Sequence, residues 1–139
     1  MGAAHNSWGA YLGSLEKKLS KTYVGTRKGE FVYSVTVNGQ RLHNYDPFGD
    51  PEYGFEWGYG GAGPYALAFS ILCDHFGIDK TTDPEAQFGS KPYQRLRQSF
   101  KEEVIAQFPH DAGFTLTSEQ ITEWVAKKES ESRTPTSPS

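Results

Sequence analysis

The sequence contains one cysteine and one methionine, and it has no long apolar run. Because a disulfide needs two thiols, the single Cys73 excludes a bridge within the chain and any zinc site built from several cysteines. A helix that crosses a bilayer needs about 20 predominantly apolar residues, so the sequence predicts no membrane-spanning segment. The first residues also lack the apolar core of a secretory signal peptide. We therefore expect a cytoplasmic protein without a membrane partner.

Neither sign of charge dominates the sequence. It has 14 Lys and Arg against 17 Asp and Glu, for a formal net charge of -3. Proteins that bind nucleic acid through the phosphate backbone are usually strongly basic, so we expect no nucleic-acid partner. The 139 residues suit one domain with a sizeable core, and the aromatic content of 14% means that aromatic rings supply much of that core or of a binding face.

Composition divides the chain into three parts. Residues 1–22 are predicted to form an N-terminal amphipathic helix or arm, because apolar residues recur there on one helical face. Residues 23–128 are predicted to form a single α+β domain. Residues 129–139 consist mostly of Ser, Thr, Pro and Glu, which bury too little apolar surface to order a chain, so a disordered tail is expected.

The clearest strand signal is a hairpin. Apolar and polar residues alternate from Phe31 to Val37, and Asn38-Gly39 follows, a pair that tolerates the positive φ angles of a two-residue turn. The predicted register pairs Val37 with Gln40 and Val35 with Leu42. The return strand is expected to run to about Tyr45.

Helices are predicted after the hairpin. Pro64 suits a first helical position, and the run from Tyr65 to Phe76 is apolar on all sides, as expected of a buried helix that ends at Gly77. A further helix is expected from Pro92 to Pro109. A capping-box pattern, Thr117-Ser118-Glu119-Gln120, predicts the start of the last helix. The sequence thus predicts an α+β fold in which a small antiparallel sheet packs against three to four helices.

Residues 55–64, here called the Gly-aromatic segment, combine four glycines, three aromatic residues and one proline. One interpretation is a structural turn. The other is a ligand cradle, because free backbone N–H groups ahead of a helix favour an anion. The candidate ligand-binding residues are Gly58, Gly60, Gly61 and Gly63, with Arg27 as a source of positive charge. The pattern lacks the Lys and Ser or Thr of a P-loop, and both interpretations stay open.

Aromatic residues in and before this segment are candidates for a protein interface. Large rings in exposed positions tend to dominate interface energies. The candidate partner-binding residues are Trp57, Tyr59, Tyr53 and Phe48.

No catalytic or metal-binding pattern stands out. Cys73-Asp74-His75 has a spacing that metal sites use, but no second pair of ligands accompanies it. Glu56 lies between two aromatic residues, where desolvation can raise the pKa of a general base. On an extended strand, however, Glu56 points away from its neighbours, toward solvent or a backbone partner. We therefore predict no catalytic residue, no metal and no cofactor.

The run Trp57-Gly58-Tyr59-Gly60-Gly61-Ala62-Gly63-Pro64, followed by Leu67-Ala68, resembles the domain-of-unknown-function family numbered 6166. That family occurs in phages, prophages and bacteria. Flanking similarity begins at Tyr23-Val24-Gly25 and ends near Trp124-Val125, so the resemblance spans roughly residues 23–126. Ala62 replaces the Ser that is usual in the family. The family has no established catalytic residues to transfer.

The phage context that this resemblance implies leads to a functional hypothesis. We expect a non-enzymatic binding protein of a phage or mobile element, in the host cytoplasm, that inhibits a host defence component by protein–protein contact. One alternative is a protein that binds or sequesters an anionic small molecule, such as a nucleotide, through residues 58–64. A second alternative is a small hydrolase without a recognisable motif. The sequence sets no oligomeric state.

Overall fold

A computed structural model describes residues 20–29, 31–46, 54–78 and 89–133 of the chain. In these ranges the strands are β1 (Thr22–Lys28), β2 (Phe31–Val37), β3 (Gln40–Arg41) and β4 (Phe114–Thr117). The α-helices are α1 (Ala62–His75), α2 (Pro92–Arg95), α3 (Arg97–Glu103) and α4 (Ser118–Arg133), with a 3₁₀ turn at Ile105–Gln107. The predicted α+β class is confirmed.

Two compact units make up the chain. One is the continuous segment Thr22–Leu116, and the other contains both chain ends, Met1–Lys21 and Thr117–Ser139. The helix proposed within residues 1–22 lies almost wholly outside the described residues, so it stays a prediction.

The sheet has the strand order β3-β2-β1-β4. The β2–β3 hairpin has the predicted register, because Val37 pairs with Gln40 and the Leu42 N–H donates to the Val35 carbonyl at 3.0 Å. The return strand is shorter than predicted and ends at Arg41. The reason is a competing partner: the Tyr45 N–H donates to Ser70 Oγ of helix α1 at 2.9 Å, which draws the chain off the sheet.

Helix α1 is the buried helix that the apolar run predicts. Nine of its residues are buried, including the fully enclosed Leu67, Ala68, Ile71 and Leu72. It begins two residues earlier than expected, so Pro64 occupies the third helical position rather than the first. Extended Gly61 serves as N-cap, and its carbonyl accepts the Tyr65 N–H at 2.9 Å. Gly77, with φ of 71°, follows the helix end as predicted.

The single helix predicted from Pro92 to Pro109 is divided into shorter pieces. At Leu96 the backbone angles are -93° and -5°, a departure from helical geometry that separates α2 from α3. Both short helices pack against α1. Phe100 of α3 and Ile105 of the 3₁₀ turn are buried and belong to the core.

The unit of the chain ends is described from Ser20 to Lys21 and from Thr117 to Arg133. The predicted capping box is confirmed, because the Gln120 N–H donates to Thr117 Oγ1 at 3.2 Å and Gln120 Oε1 accepts the Thr117 N–H at 2.9 Å. The Ser118 N–H donates to the Lys21 carbonyl at 2.8 Å. Helix α4 continues past Glu129 to Arg133, so the first residues of the expected tail are helical.

Candidate functional site

Trp57, proposed as an exposed interface anchor, is instead a core residue. Its relative exposure is 0%. The indole N–H donates to the Ala112 carbonyl at 2.8 Å, and the ring packs edge-on against Phe114 with centroids 4.9 Å apart. Because the polar edge of the ring has an internal partner, the whole side chain can be buried without an unsatisfied donor. The expectation that Trp57 contacts a partner was wrong.

Tyr59 has the opposite environment two residues later. Its side chain is 44% exposed, which makes it one of the large apolar residues that the described surface presents to solvent. The ring lies edge-on to the imidazole of His110, with centroids 5.5 Å apart and planes at 78°. His110 is itself exposed, in the turn that the sequence predicts after Pro109. Tyr59 and His110 therefore form an exposed pair of rings on two neighbouring loops.

Arg27 does approach the Gly-aromatic segment, but its charge is already neutralised. The guanidinium forms an ion pair with Glu56, in which Nη1 lies 3.3 Å from Oε2 and Nη2 contacts Oε1. Its Cζ atom lies 4.3 Å from the Trp57 ring centroid, a cation–π distance. The Arg27 side chain is 3% exposed. The hypothesis that Arg27 adds positive charge to an anion cradle is therefore not supported by this geometry.

Glu56 has a backbone partner, one of the two surroundings that the sequence predicts, although residues 54–57 form no strand. Oε1 accepts the Trp57 backbone N–H at 3.1 Å as well as the Arg27 contact. Both carboxylate oxygens are thus engaged with Arg27. These contacts hold the carboxylate in an ion pair, although each of its oxygens can accept more than one hydrogen bond.

Two of the four candidate glycines are explained by close packing. Gly58 has a φ of 88°, and a Cβ there would lie 2.5 Å from the His110 Cα atom. Its N–H donates to the Ile105 carbonyl at 3.0 Å. A Cβ on Gly63 would lie 2.7 Å from the Glu56 Cβ atom. Both positions exclude a side chain because protein atoms already fill the space.

The other two candidate glycines lie at the start of helix α1. Among the described residues, no atom lies within 4 Å of a Cβ built on Gly60, so that position is open with respect to them. A Cβ on Gly61 would meet the Tyr59 ring at 2.8 Å. No side chain of the described ranges caps this helix, and its first turn contains no acidic residue. Of the four candidate glycines, Gly60 and Gly61 therefore stay candidates for the anion cradle.

Sequence reasoning missed the residues that support the segment from outside. His110 and Ala112 contribute backbone atoms, which no motif marks. Gly25 of β1 is a further case, because a Cβ there would lie 2.3 Å from the Phe114 ring and 2.8 Å from the Trp57 ring. Its place in Tyr23-Val24-Gly25 was a signal that could have pointed to this contact.

Two buried groups of the segment Thr22–Leu116 have raised pKa values. Burial raises the pKa of the Tyr23 hydroxyl well above its ordinary range, as does the hydrogen bond that it donates to Asp74 Oδ1 at 2.7 Å. Burial also raises the pKa of the Cys73 thiol to about 12. Neither group lies in the Gly-aromatic segment, and a pKa that differs between the folded and unfolded states makes stability depend on pH.

Several proposed features fall outside what can be placed. Tyr53 and Phe48 lie outside the described residues. Among the described residues, His, Cys, Asp and Glu side chains form no group of three or more able to hold a metal ion. In the same ranges, none of the helices has the length and apolarity that crossing a membrane requires.

Comparison with known proteins identifies the family. The model of a family of unknown function, DUF6166, matches residues 23–127, which is most of the chain and includes the whole Gly-aromatic segment. No curated protein and no solved structure matches the chain significantly. The chain belongs to the DUF6166 family, as its central run of residues suggests.

Proposed function

We propose that this DUF6166 member is a non-enzymatic binding protein that contacts a partner protein through Tyr59. The observation that carries the proposal is the contrast within three residues: Trp57 is fully buried, whereas Tyr59 is 44% exposed on the same short segment. A buried ring that anchors the backbone and an exposed ring that faces solvent form a rigid support for a contact residue.

The proposal is supported by the hydrogen bonds that hold the residues just before Tyr59. The Gly58 N–H is bonded to Ile105, and the Trp57 indole is bonded to Ala112. A contact residue on a fixed backbone loses little conformational entropy on binding, so more of its contact energy contributes to affinity. Tyrosine suits this role because one side chain offers both apolar area and a hydrogen-bonding hydroxyl.

The proposed partner is a host protein. A small phage protein that catalyses no reaction can affect its host by covering the surface of a host protein. The target that we propose is a host defence component. The engagement of both Glu56 oxygens with Arg27 favours contact over chemistry at this segment.

The test is a pull-down from host lysate with the full chain and two variants. Tyr59→Ala removes the proposed anchor, and Phe76→Ala removes an aromatic residue that is 37% exposed at the far end of α1. A helix of 14 residues is about 20 Å long, so Phe76 lies well away from the segment. We expect Tyr59→Ala to weaken binding of the captured protein by about 2 kcal/mol, roughly thirtyfold, as for an interface hot spot.

Titration calorimetry with the purified partner gives that difference. Phe76→Ala is expected to bind as tightly as the wild type. Equal affinity of the wild type and Tyr59→Ala would refute the proposed contact. Turnover of a substrate by the purified chain would refute its non-enzymatic character.

A second candidate function is binding of a small anion at the start of α1. It is favoured by the open position of Gly60 and by the uncapped first turn of the helix. It ranks second because the Glu56 side chain runs beside Gly63 and already brings a carboxylate to this end of the helix.

Gly60→Ala tests this candidate, because the added methyl group meets no atom of the described residues and would lie where a bound anion is proposed. Mass spectrometry of the purified protein would identify a nucleotide that co-purifies in stoichiometric amount. Loss of that nucleotide from Gly60→Ala, with retention in Phe76→Ala, would support the cradle. A wild-type protein that carries no nucleotide and binds neither phosphate nor ATP would refute it.

A further inference from the structure

The peptide unit between Trp57 and Gly58 is held at both of its polar ends. Its carbonyl oxygen accepts a hydrogen bond from Arg27 Nη2 at 3.3 Å. Its N–H donates to the Ile105 carbonyl at 3.0 Å. The C=O and the N–H point in opposite directions within one peptide plane, so the two hydrogen bonds together fix how that plane is rotated.

Glycine at position 58 permits more than one rotation of this peptide unit. Gly58 has a φ of 88°, and glycine adopts the corresponding negative φ about as readily. Rotation of the peptide plane by half a turn interconverts two ordinary turn types, which differ in the sign of φ at that position. The sequence Trp57-Gly58 alone therefore does not select the observed rotation, and contacts from outside the segment must do so.

Arg27 reaches the segment from β1, on the face of the strand that also carries buried Gly25. Strand alternation places these two residues on one side of the sheet. The pairing of β1 with β2 shifts register beside Arg27, where β2 contributes one more residue than β1. The guanidinium contacts the Glu56 carboxylate, the Trp57 carbonyl and the Trp57 ring at once.

The buried ion pair is better explained by specificity than by stability. Burying a charge costs free energy that an apolar side chain of similar volume avoids, so such pairs are weak stabilisers. What a planar guanidinium offers is direction, because its donors fit only one arrangement of acceptors. Here the acceptors belong to two successive residues, Glu56 and Trp57.

We propose that Arg27 is a positioning residue whose ion pair with Glu56 fixes the rotation of the Trp57–Gly58 peptide and thereby the direction in which Tyr59 is presented. The relevance to binding rests on the proposed function of Tyr59. The positioning itself does not, and it is measured without a partner.

The experiment is amide hydrogen exchange of the full chain, with Arg27→Met/Glu56→Gln as the main variant. This pair removes both charges and keeps similar volumes. The reporter is the Gly58 amide, and the reference is the Leu42 amide, which donates to Val35 within the sheet. We expect Gly58 to exchange at least about tenfold faster in the variant while Leu42 keeps its wild-type protection, as local opening would produce.

Two further variants complete the test. Arg41→Met makes the same replacement at an exposed position of β3 and should leave both amides unchanged. Arg27→Lys keeps the positive charge but loses the planar, multiple-donor guanidinium, so we expect intermediate protection of the Gly58 amide. This variant also replaces the double variant in the test if the latter does not fold.

Wild-type protection of Gly58 in the folded double variant would overturn the proposal, as would equal losses at Gly58 and Leu42, which would indicate general destabilisation. If Gly58 opens as expected but Tyr59→Ala binds the partner normally, the positioning role stands and the proposed function fails. The two ideas therefore fail separately.

Discussion

The Asn38-Gly39 hairpin and the Gly-aromatic segment both contain residues with positive φ, yet they are held by different means. At the hairpin, Asn38 and Gly39 have φ angles of 49° and 83°, and a Cβ on Gly39 has no atom of the described part of the chain within 4 Å. At Gly58, a Cβ would meet the backbone of His110. The φ angles of the hairpin turn suit its own residues, although Asn38 also bonds to Thr22 of β1, whereas the Gly-aromatic segment is held by distant parts of the chain.

The difference shows why one turn could be predicted in detail and the other only as a turn. Asn-Gly dictates a two-residue loop, and the loop dictates the register of the strands. The sequence next to Trp57 and Gly58 does not predict which residues they contact. Their partners are Arg27, Ile105 and Ala112. A segment that depends on three distant elements is also the one that can hold an exposed ring in a fixed direction.

The largest expected effect separates the two rings of the segment. Trp57→Ala removes a fully buried ring and its bond to Ala112, so we expect the free energy of unfolding to fall by about 4 kcal/mol. Tyr59→Ala should change it by less than about 1 kcal/mol, because the ring is half-exposed. Urea unfolding measures both. Equal losses in the two variants would show that Tyr59 belongs to the core.

The next effect separates the two turns. Gly58→Ala adds a methyl group against His110 at a positive φ, and we expect a loss of about 3 kcal/mol. Gly39→Ala imposes a similar φ in open space, and we expect only about 1 kcal/mol. Chemical denaturation of both variants gives the difference. If the two losses agree, the contact with His110 contributes nothing and the comparison of the turns collapses.

A smaller effect isolates the hairpin. Asn38→Gly keeps the backbone conformation but removes the side-chain oxygen that accepts the Thr22 N–H at 2.9 Å. We expect a loss of about 1 kcal/mol in thermal unfolding, the value of one hydrogen bond. Amide exchange at Gly58 should not change beyond that global loss. A selective loss of protection at Gly58 would mean that the two turns are coupled.

The smallest effect at neutral pH comes from groups outside both turns. Burial raises the pKa of Cys73 to about 12 and raises that of Tyr23 above its ordinary range, so the folded state holds both protons more firmly than the unfolded state. This contribution is complete below the unfolded thiol pKa near 9. It is lost as pH rises toward 12, by up to about 1.4 kcal/mol per pH unit for each proton.

Unfolding followed from pH 7 to pH 11 checks this, with Cys73→Ala as control. In that variant we expect the decline to begin about one pH unit later, where Tyr23 takes over. The hairpin and the Gly-aromatic segment should lose amide protection together. A decline confined to either turn would contradict the placement of both groups in the shared core.

Much of the fold could be predicted because its signals are local. The Asn38-Gly39 register, the apolar run of α1, the stop at Gly77 and the capping box at Thr117 each lie within a few residues. The return strand was predicted too long because its end depends on Ser70, 25 residues away from Tyr45. The helix that the Pro92–Pro109 pattern predicts is divided at Leu96, which no single residue type announces.

The candidate site was predicted less well for the same reason. The segment itself was recognised from its glycines and aromatic rings, whereas residues 54–57 form no strand and the ion pair of Glu56 with Arg27 was not predicted. Whether each ring is buried depends on what covers it, and Ala112 and Phe114 cover Trp57 from 55 and 57 positions along the chain. The partner of Arg27 is likewise distant, because Glu56 lies 29 positions along the chain.

A photo-crosslink at position 59 tests the central claim most directly. The chain would carry p-benzoylphenylalanine in place of Tyr59 or, as control, in place of Phe76, and would be irradiated in host cells. The account predicts that position 59 forms a covalent adduct with a single host protein and that position 76 forms none. An adduct at position 76 with the same protein and none at position 59 would contradict it.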